Sequence, residues 1–411
     1  MRILWITNIM LPPLCEYLGL PILAVGGWMY SSLKRLKESK PDSQFAVATV
    51  WSGKDLNKVH IDGITYYLLP LNGTSGTKYN NHLETKWQEV KKDFKPNVIH
   101  IHGTEYPHGL AYVRACGSKG VVVSIQGLVS CYARYYTGGI SHKEIKKSLT
   151  FRDILRGGIN DGQKDFVKRG NFEHDLLSRV SHIIGRTEWD KAHSWAINPK
   201  AKYHHVGETL RDVFYKNKWD YDKCEPYSIF VSQASYPIKG LHKLLEALPI
   251  VIREYPETKV YVAGSDESSK PWYRITSYGR YLKRLIKKYN LKGKIIFTGM
   301  LSEEEMCNRY LDSNLFLCCS AIENSPNSLG EAQILGMPFL ASFVGGVPEI
   351  VNYNPDVLYR FEETEMLAKK ICNIFSFGKN YYISRDSSER YDGKVNLASL
   401  LDCYKVVFSD K

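Results

Sequence analysis

The run Glu323-Asn324-Ser325-Pro326-Asn327-Ser328-Leu329-Gly330-Glu331 decides how this chain is read. An apolar, strand-like stretch, Leu315 to Ser320, leads into it, and a helix-like stretch, Ser328 to Leu335, carries its end. A Gly336-Met337-Pro338 turn and then Gly345-Gly346-Val347-Pro348-Glu349 follow. This order places Glu323 on the loop at the C-terminal end of a strand. It places Glu331 in the first turn of the next helix. In open α/β sheets the crevice outside those strand ends is where ligands bind.

Working outward, the same alternation recurs on both sides. Strands are expected at Ser228–Ser232, Val260–Ala263, Ile295–Thr298, Leu315–Cys319 and Phe339–Ser342, with helical patterns between them. Upstream, Ile3–Asn8, Phe45–Trp51, Thr65–Leu71, Val98–His102, Val121–Gln126, His182–Arg186 and Tyr203–Val206 read as strands. Several are near-continuous apolar runs, as strands covered on both faces require. The expected fold class is α/β, with two Rossmann-like doubly wound domains facing a central cleft. Residues 1–215 form the first domain and residues 226–390 the second. Residues 391–411 form a final helix that packs back on the first.

The chain has 411 residues, enough for two cores, with 44% hydrophobic and 24% charged content. Its nine cysteines include no C-x-x-C pair, and no signal peptide is read at the N-terminus. Both point to a reducing, cytoplasmic setting. No segment reads as a membrane span. The charge is uneven: residues 1–210 hold 28 basic and 18 acidic side chains, residues 211–411 hold 27 and 25. Between Lys143 and Arg169, eight basic residues mix with Leu149, Phe151, Ile154 and Leu155. That stretch is either a solvated helical face or a contact for an anionic membrane surface or phosphate-bearing acceptor, with the protein peripheral at the inner face of the membrane. No recognised nucleic-acid motif accompanies it, so no nucleic-acid partner is expected.

Two further features concern phosphate. The Gly26-Gly27 pair precedes a helix, where glycines let the backbone approach an anion and the helix N-terminus favours one; a flexible turn is the other reading. Lys239 in Tyr236-Pro237-Ile238-Lys239-Gly240 lies at a helix start, where the macrodipole disfavours a cation. It is either solvated or facing an anionic ligand such as a diphosphate leaving group. Glu331 closes an S-x-x-E pattern from Ser328, so it either caps the helix or accepts hydrogen bonds from a ribose diol. Glu323 is either an exposed loop carboxylate or a partner of a sugar ring.

This constellation resembles the glycosyltransferase family 4 group of retaining GT-B enzymes. The residues that carry the resemblance are Gly26-Gly27, Lys239-Gly240, Ala263-Gly264, Phe297-Thr298-Gly299, the Glu323–Glu331 run through Pro338, and Gly345-Gly346-Val347-Pro348-Glu349. It covers residues 228–352 closely and the first half more loosely. It implies a nucleotide diphosphate sugar as donor substrate, no cofactor and no metal, and a glycan or lipid-linked acceptor on the first domain. It assigns catalysis to Glu323 and Lys239, the first on the donor sugar and the second on the diphosphate. It assigns nucleotide-sugar contacts to Glu331 (on the ribose), Gln233, Gly27, Met300, Ser325, Asn327 and Ser328.

The sequence departs from the family pattern at two places. Ser232-Gln233 stands where Gly-Arg is usual, which removes one positive charge. Arg186 is a candidate to replace it. Gln126 stands where a histidine is frequent, and an amide hydrogen-bonds but does not titrate. With Arg186 and Gln126, His102 is a candidate acceptor or sugar contact. His100 and His102 are read as facing opposite sides of their strand, and no third ligand makes them a metal site. Two other functions stay open: a nucleotide-sugar epimerase on the same fold, and a non-catalytic nucleotide-sugar-binding protein.

Overall fold

The computed structural model describes residues 1–21, 27–380 and 388–410. It divides into two compact units. Unit 1 comprises Met1–Cys131, Phe166–Thr209 and Arg390–Lys411; unit 2 comprises Tyr132–Asp165 and Leu210–Glu389.

Among the described residues unit 1 is built on eight strands: β1 (Arg2–Ile6), β2 (Gln44–Trp51), β3 (Asn57–Ile61), β4 (Ile64–Pro70), β5 (Val98–His102), β6 (Val121–Ser124), β7 (His182–Gly185) and β8 (Lys202–His205). Their order across the sheet is β3-β4-β2-β1-β5-β6-β7-β8. All neighbours are parallel except the β3–β4 hairpin. Asp62 and Gly63 turn that hairpin with φ of 50° and 71°, the left-handed pair that matches strand twist. The central strand β1 buries Ile3 and Trp5 in a core shared with Leu33, Leu36 and Val98. The helix Gly393–Ser409 adds Leu400, Cys403, Tyr404 and Val407 to the same core.

Unit 2 carries β9 (Glu225–Val231), β10 (Lys259–Val262), β11 (Ile295–Phe297), β12 (Ser313–Cys318), β13 (Phe339–Ser342) and β14 (Leu358–Tyr359). They are ordered β11-β10-β9-β12-β13-β14 and all run parallel. Both faces are covered. Ile229 and Val231 of β9 point into one core, with Leu244, Leu248 and Leu282. Phe230, between them, points into the other, with Tyr310, Phe316 and Leu329. That is the period of two expected of a buried strand.

The connectivity locates the ligand crevice. From β9 the chain winds outward through β10 and β11, then returns to β12 on the opposite side of β9. The loops after β9 and β12 therefore diverge at the same end of the sheet, at the topological switch point. In unit 1 the equivalent point lies between β1 and β5. Among the described residues no helix is long and apolar enough to cross a membrane.

Candidate active site

After β9 the chain forms a short 3₁₀ turn, Pro237–Lys239, and then the helix Leu241–Glu254. Gly240 joins them with φ of 72°. A Cβ there would strike the carbonyl oxygen of Cys319, which follows β12. Only glycine lets these two loops approach so closely. Ala321 N donates to Ile238 O at 2.7 Å, stitching the loops together.

The result is a cation and an anion face to face. Lys239 Nζ lies 2.6 Å from Glu323 Oε1, and Ser320 Oγ donates to the same oxygen at 2.7 Å. Both side chains are largely buried. Burial works against the ammonium charge, but the Glu323 carboxylate outweighs it and holds the Lys239 pKa above its usual range. From behind, Gly346 N donates to Glu323 O at 3.1 Å. Gly345, at φ of 54°, leaves no room for a Cβ beside that carbonyl. The Gly345-Gly346 pair thus fixes the loop that aims Glu323.

The helix Asn327–Leu335 starts four residues after Glu323. Its cap position is Pro326, with no side-chain cap, so Ser328 and Glu331 do not form the capping box their spacing allowed. Glu331 is buried, and Arg211 Nε donates to its Oε1 at 2.7 Å. Burial raises the Glu331 pKa despite Arg211, and Arg211 in turn is held above its usual range by Glu331 against burial. Arg211 also lies over the Phe214 ring, 4.7 Å from its centroid. Tyr310 Oη donates to Ser328 O at 2.9 Å, and Tyr132 Oη accepts from Asn324 N at 2.9 Å.

Unit 2 therefore brings together Lys239, Glu323 and Ser325 on the two loops at its switch point, with Asn327, Ser328 and Glu331 on the helix that follows. Ser325, Asn327 and Ser328 are half-buried. Gln233 is exposed in the loop after β9, and Met300 is exposed in the loop after β11. Arg211, Tyr132 and Tyr310 are the neighbours that sequence reasoning missed. Arg211 sits in a stretch with no recognisable motif, and only the tertiary contact marks it.

The remaining candidates lie in unit 1. Gly26 falls outside the described residues; Gly27 is buried at the start of the helix Gly27–Ser39. Gln126 is half-buried just past β6. His102 ends β5 and is buried, and its rings do not part company with those of His100. The two imidazoles stack with centroids 3.7 Å apart, because residues two apart on a strand share a face. His100 is held by Tyr404 Oη at 2.6 Å and Ser124 Oγ at 2.5 Å. The ring nitrogens of His102 have no hydrogen-bond partner among the described residues. Burial pushes its pKa well below the usual value. Arg186 is buried, paired with Glu208 and 5.7 Å from the Trp28 ring centroid. His102, Arg186 and Glu208 line a cavity of about 40 Å³, room for about one water.

Among the described residues no three His, Cys, Asp or Glu side chains are gathered as a metal site would need.

Residues 213–381 match the family of glycosyl transferases group 1. The matched stretch lies within unit 2 and includes Lys239, Glu323 and Glu331. The chain is 25% identical to the spore coat protein SA of Bacillus subtilis (strain 168) over 186 residues, 43% of this chain and 48% of that protein. It spans less than half the length of the first curated relatives it matches. Its fold is that of sucrose-phosphate synthase from Thermosynechococcus elongatus, with a TM-score of 0.71, 16% identity and full coverage of both chains. Anabaena HepE, solved in complex with UDP-glucose, is similar at a TM-score of 0.62 and 14% identity, covering 98% of this chain and 99% of that one. The fold is GT-B, built on two Rossmann-like units.

Proposed function

We propose that this chain is a retaining, metal-independent glycosyltransferase. It moves a sugar from a nucleotide diphosphate sugar to a hydroxyl of a glycan or lipid-linked glycan, in polysaccharide or glycoconjugate biosynthesis. The observation that carries the reading is the contact of Lys239 and Glu323 at the switch point of unit 2, within the stretch that matches the family.

The chemistry follows from that contact. The barrier lies in breaking the bond between the anomeric carbon and the diphosphate, which leaves with negative charge. A lysine already charged and already fixed stabilises that charge without reorganising. An ammonium has three protons to donate, so Lys239 can hold Glu323 and a phosphate oxygen together. Amides at the start of the helix Asn327–Leu335 offer further donors to a phosphate or sugar hydroxyl. Glu323, placed by Lys239 and Ser320, faces the sugar and balances the positive charge that grows at its anomeric carbon. Glu331 keeps acceptor capacity beyond the oxygen that Arg211 engages, since a carboxylate offers about four lone-pair sites. That capacity suits a ribose diol. The acceptor oxygen attacks the face the diphosphate leaves, and the departing diphosphate takes up its proton. Recognition of the acceptor falls to unit 1.

The test is turnover with uridine, guanosine and adenosine diphosphate sugars, with the product's anomeric configuration read by proton NMR. Transfer with the donor's configuration is expected. An inverted product rules out the retaining mechanism, and nucleotide binding without transfer to any acceptor favours the non-catalytic alternative.

A further inference from the structure

The part of the basic, apolar stretch from Lys143 to Asp165 belongs to unit 2, and its packing is inverted. Ile140, Ile145 and Ile159 are buried in the core of unit 2 and anchor this excursion. Between those anchors the helix Phe151–Arg156 turns Phe151, Ile154 and Leu155 outward, while Asp153 is buried beneath. Positions three and four apart share a helix face, so these three form one exposed apolar surface. Ile154 is 80% exposed and Leu155 68%. Trp272, 72% exposed, joins them from the loop after β10, its ring 5.8 Å from that of Phe151. Leu149 and Tyr273 are exposed beside them. Folding leaves isolated apolar residues at a surface as a matter of course, but a contiguous group of this kind marks a contact.

Its surround is cationic. Phe151 and Trp272 line a groove of about 480 Å³ together with Lys270, Arg280, Lys283 and Lys287. Arg280, Lys283 and Lys287 come from one face of the helix Ser277–Lys288 and are exposed. The nearby carboxylates are already committed. Glu144 binds Arg284 at 2.7 Å, Glu267 binds Lys270 at 2.6 Å, and Asp153 accepts from Thr150 N at 3.1 Å. Arg280 also fastens the two elements, donating to Leu149 O at 2.6 Å. The helix and the loop therefore meet in one face with an apolar tip and a basic rim.

We propose that this face of unit 2 docks on an anionic lipid bilayer. Aliphatic side chains and indole enter the headgroup boundary, and the lysines and arginines meet the anionic headgroups. An indole flanked by lysines is the composition found at membrane interfaces. The proposal rests on this surface alone and not on the transferase reading.

The test is co-sedimentation of the full chain with vesicles of phosphatidylcholine, alone or mixed with phosphatidylglycerol. Binding is expected on the mixed vesicles, weak on phosphatidylcholine alone, and reversed by salt. Ile154→Ser/Leu155→Ser and Lys283→Glu/Lys287→Glu should each lower the bound fraction by roughly fivefold or more. All four side chains are exposed, so the melting temperature and the shift caused by a nucleotide diphosphate should not change. A wild-type chain that stays in the supernatant with mixed vesicles overturns the proposal. So does binding by both variants equal to that of wild type. A concentration-dependent dimer lost in the variants, with no vesicle binding, would assign the face to a second copy instead.

Discussion

Lys239 and Glu323, 84 positions apart in sequence, meet with 2.6 Å between Nζ and Oε1. One ends the turn after β9 and the other follows β12, the two strands that flank the switch point of unit 2. The pair gives the site a fixed positive charge and a fixed carboxylate from the two loops that open the crevice. It also makes each residue's removal informative about the other.

Replacing Lys239 with Met keeps most of the side chain's bulk and removes its charge. Turnover should fall by roughly a hundredfold or more if the ammonium stabilises a leaving diphosphate. The measurement is kcat with a saturating donor, made on protein whose circular dichroism matches wild type. Glu323→Gln keeps the shape and loses the carboxylate charge. It should lower kcat while leaving nucleotide affinity close to wild type.

Arg211 and Glu331 form the second buried pair. Leaving either charge uncompensated should cost about 3–5 kcal/mol of stability. The double variant Arg211→Met/Glu331→Gln should recover part of that loss, read as a non-additive term in denaturant unfolding. Glu331→Gln should also weaken nucleotide binding in protein that remains folded, whereas a purely structural pair would leave the affinity of the folded fraction unchanged.

Gly240→Ala tests the close approach of the loops after β9 and β12. The φ of 72° alone should cost about 1–3 kcal/mol, and the collision with the Cys319 carbonyl adds to it. A melting temperature equal to wild type would mean that the loops separate freely.

Glu105 in unit 1 gives a pH signature. Burial pushes its carboxyl from an ordinary 4.5 up to about 7, while its own backbone and Gly127 pull the other way. The folded state thus holds the proton more tightly than the unfolded one. Its contribution to stability is complete below about pH 4.5 and is lost as pH rises through about 7. Glu105→Gln should remove that loss, so the variant gains on wild type at pH 8 but not at pH 4. Urea midpoints at the two pH values check this, and a gain confined to the acid side would contradict it.

The βα alternation was legible because buried parallel strands read as apolar runs; Ile3 to Ile6 and Val121 to Val123 are such runs. The Glu323–Glu331 loop was legible because Pro326, Gly336 and Gly345-Gly346 punctuate it. The edge strand Asn57–Ile61 was not, since one face of it meets solvent and its sequence, Asn-Lys-Val-His-Ile, carries little apolar signal. Arg211 was hidden for another reason. Its role is set by a partner 120 positions away, and no local pattern announces such a contact. Gln233 marks where a family arginine is missing, yet the arginine that enters the site, Arg211, meets Glu331 and not the Lys239 end. The excursion of Tyr132–Asp165 into unit 2 was equally silent, because its buried anchors Ile140, Ile145 and Ile159 look no different in sequence from the exposed Ile154 and Leu155.

The most direct test of the central claim is isothermal titration of uridine, guanosine and adenosine diphosphate sugars into wild-type protein and Lys239→Met. Saturable binding of at least one base series to wild type is expected, with a loss of roughly tenfold or more in the variant. Binding that is identical in the two proteins, or absent from both across all three series, would contradict it.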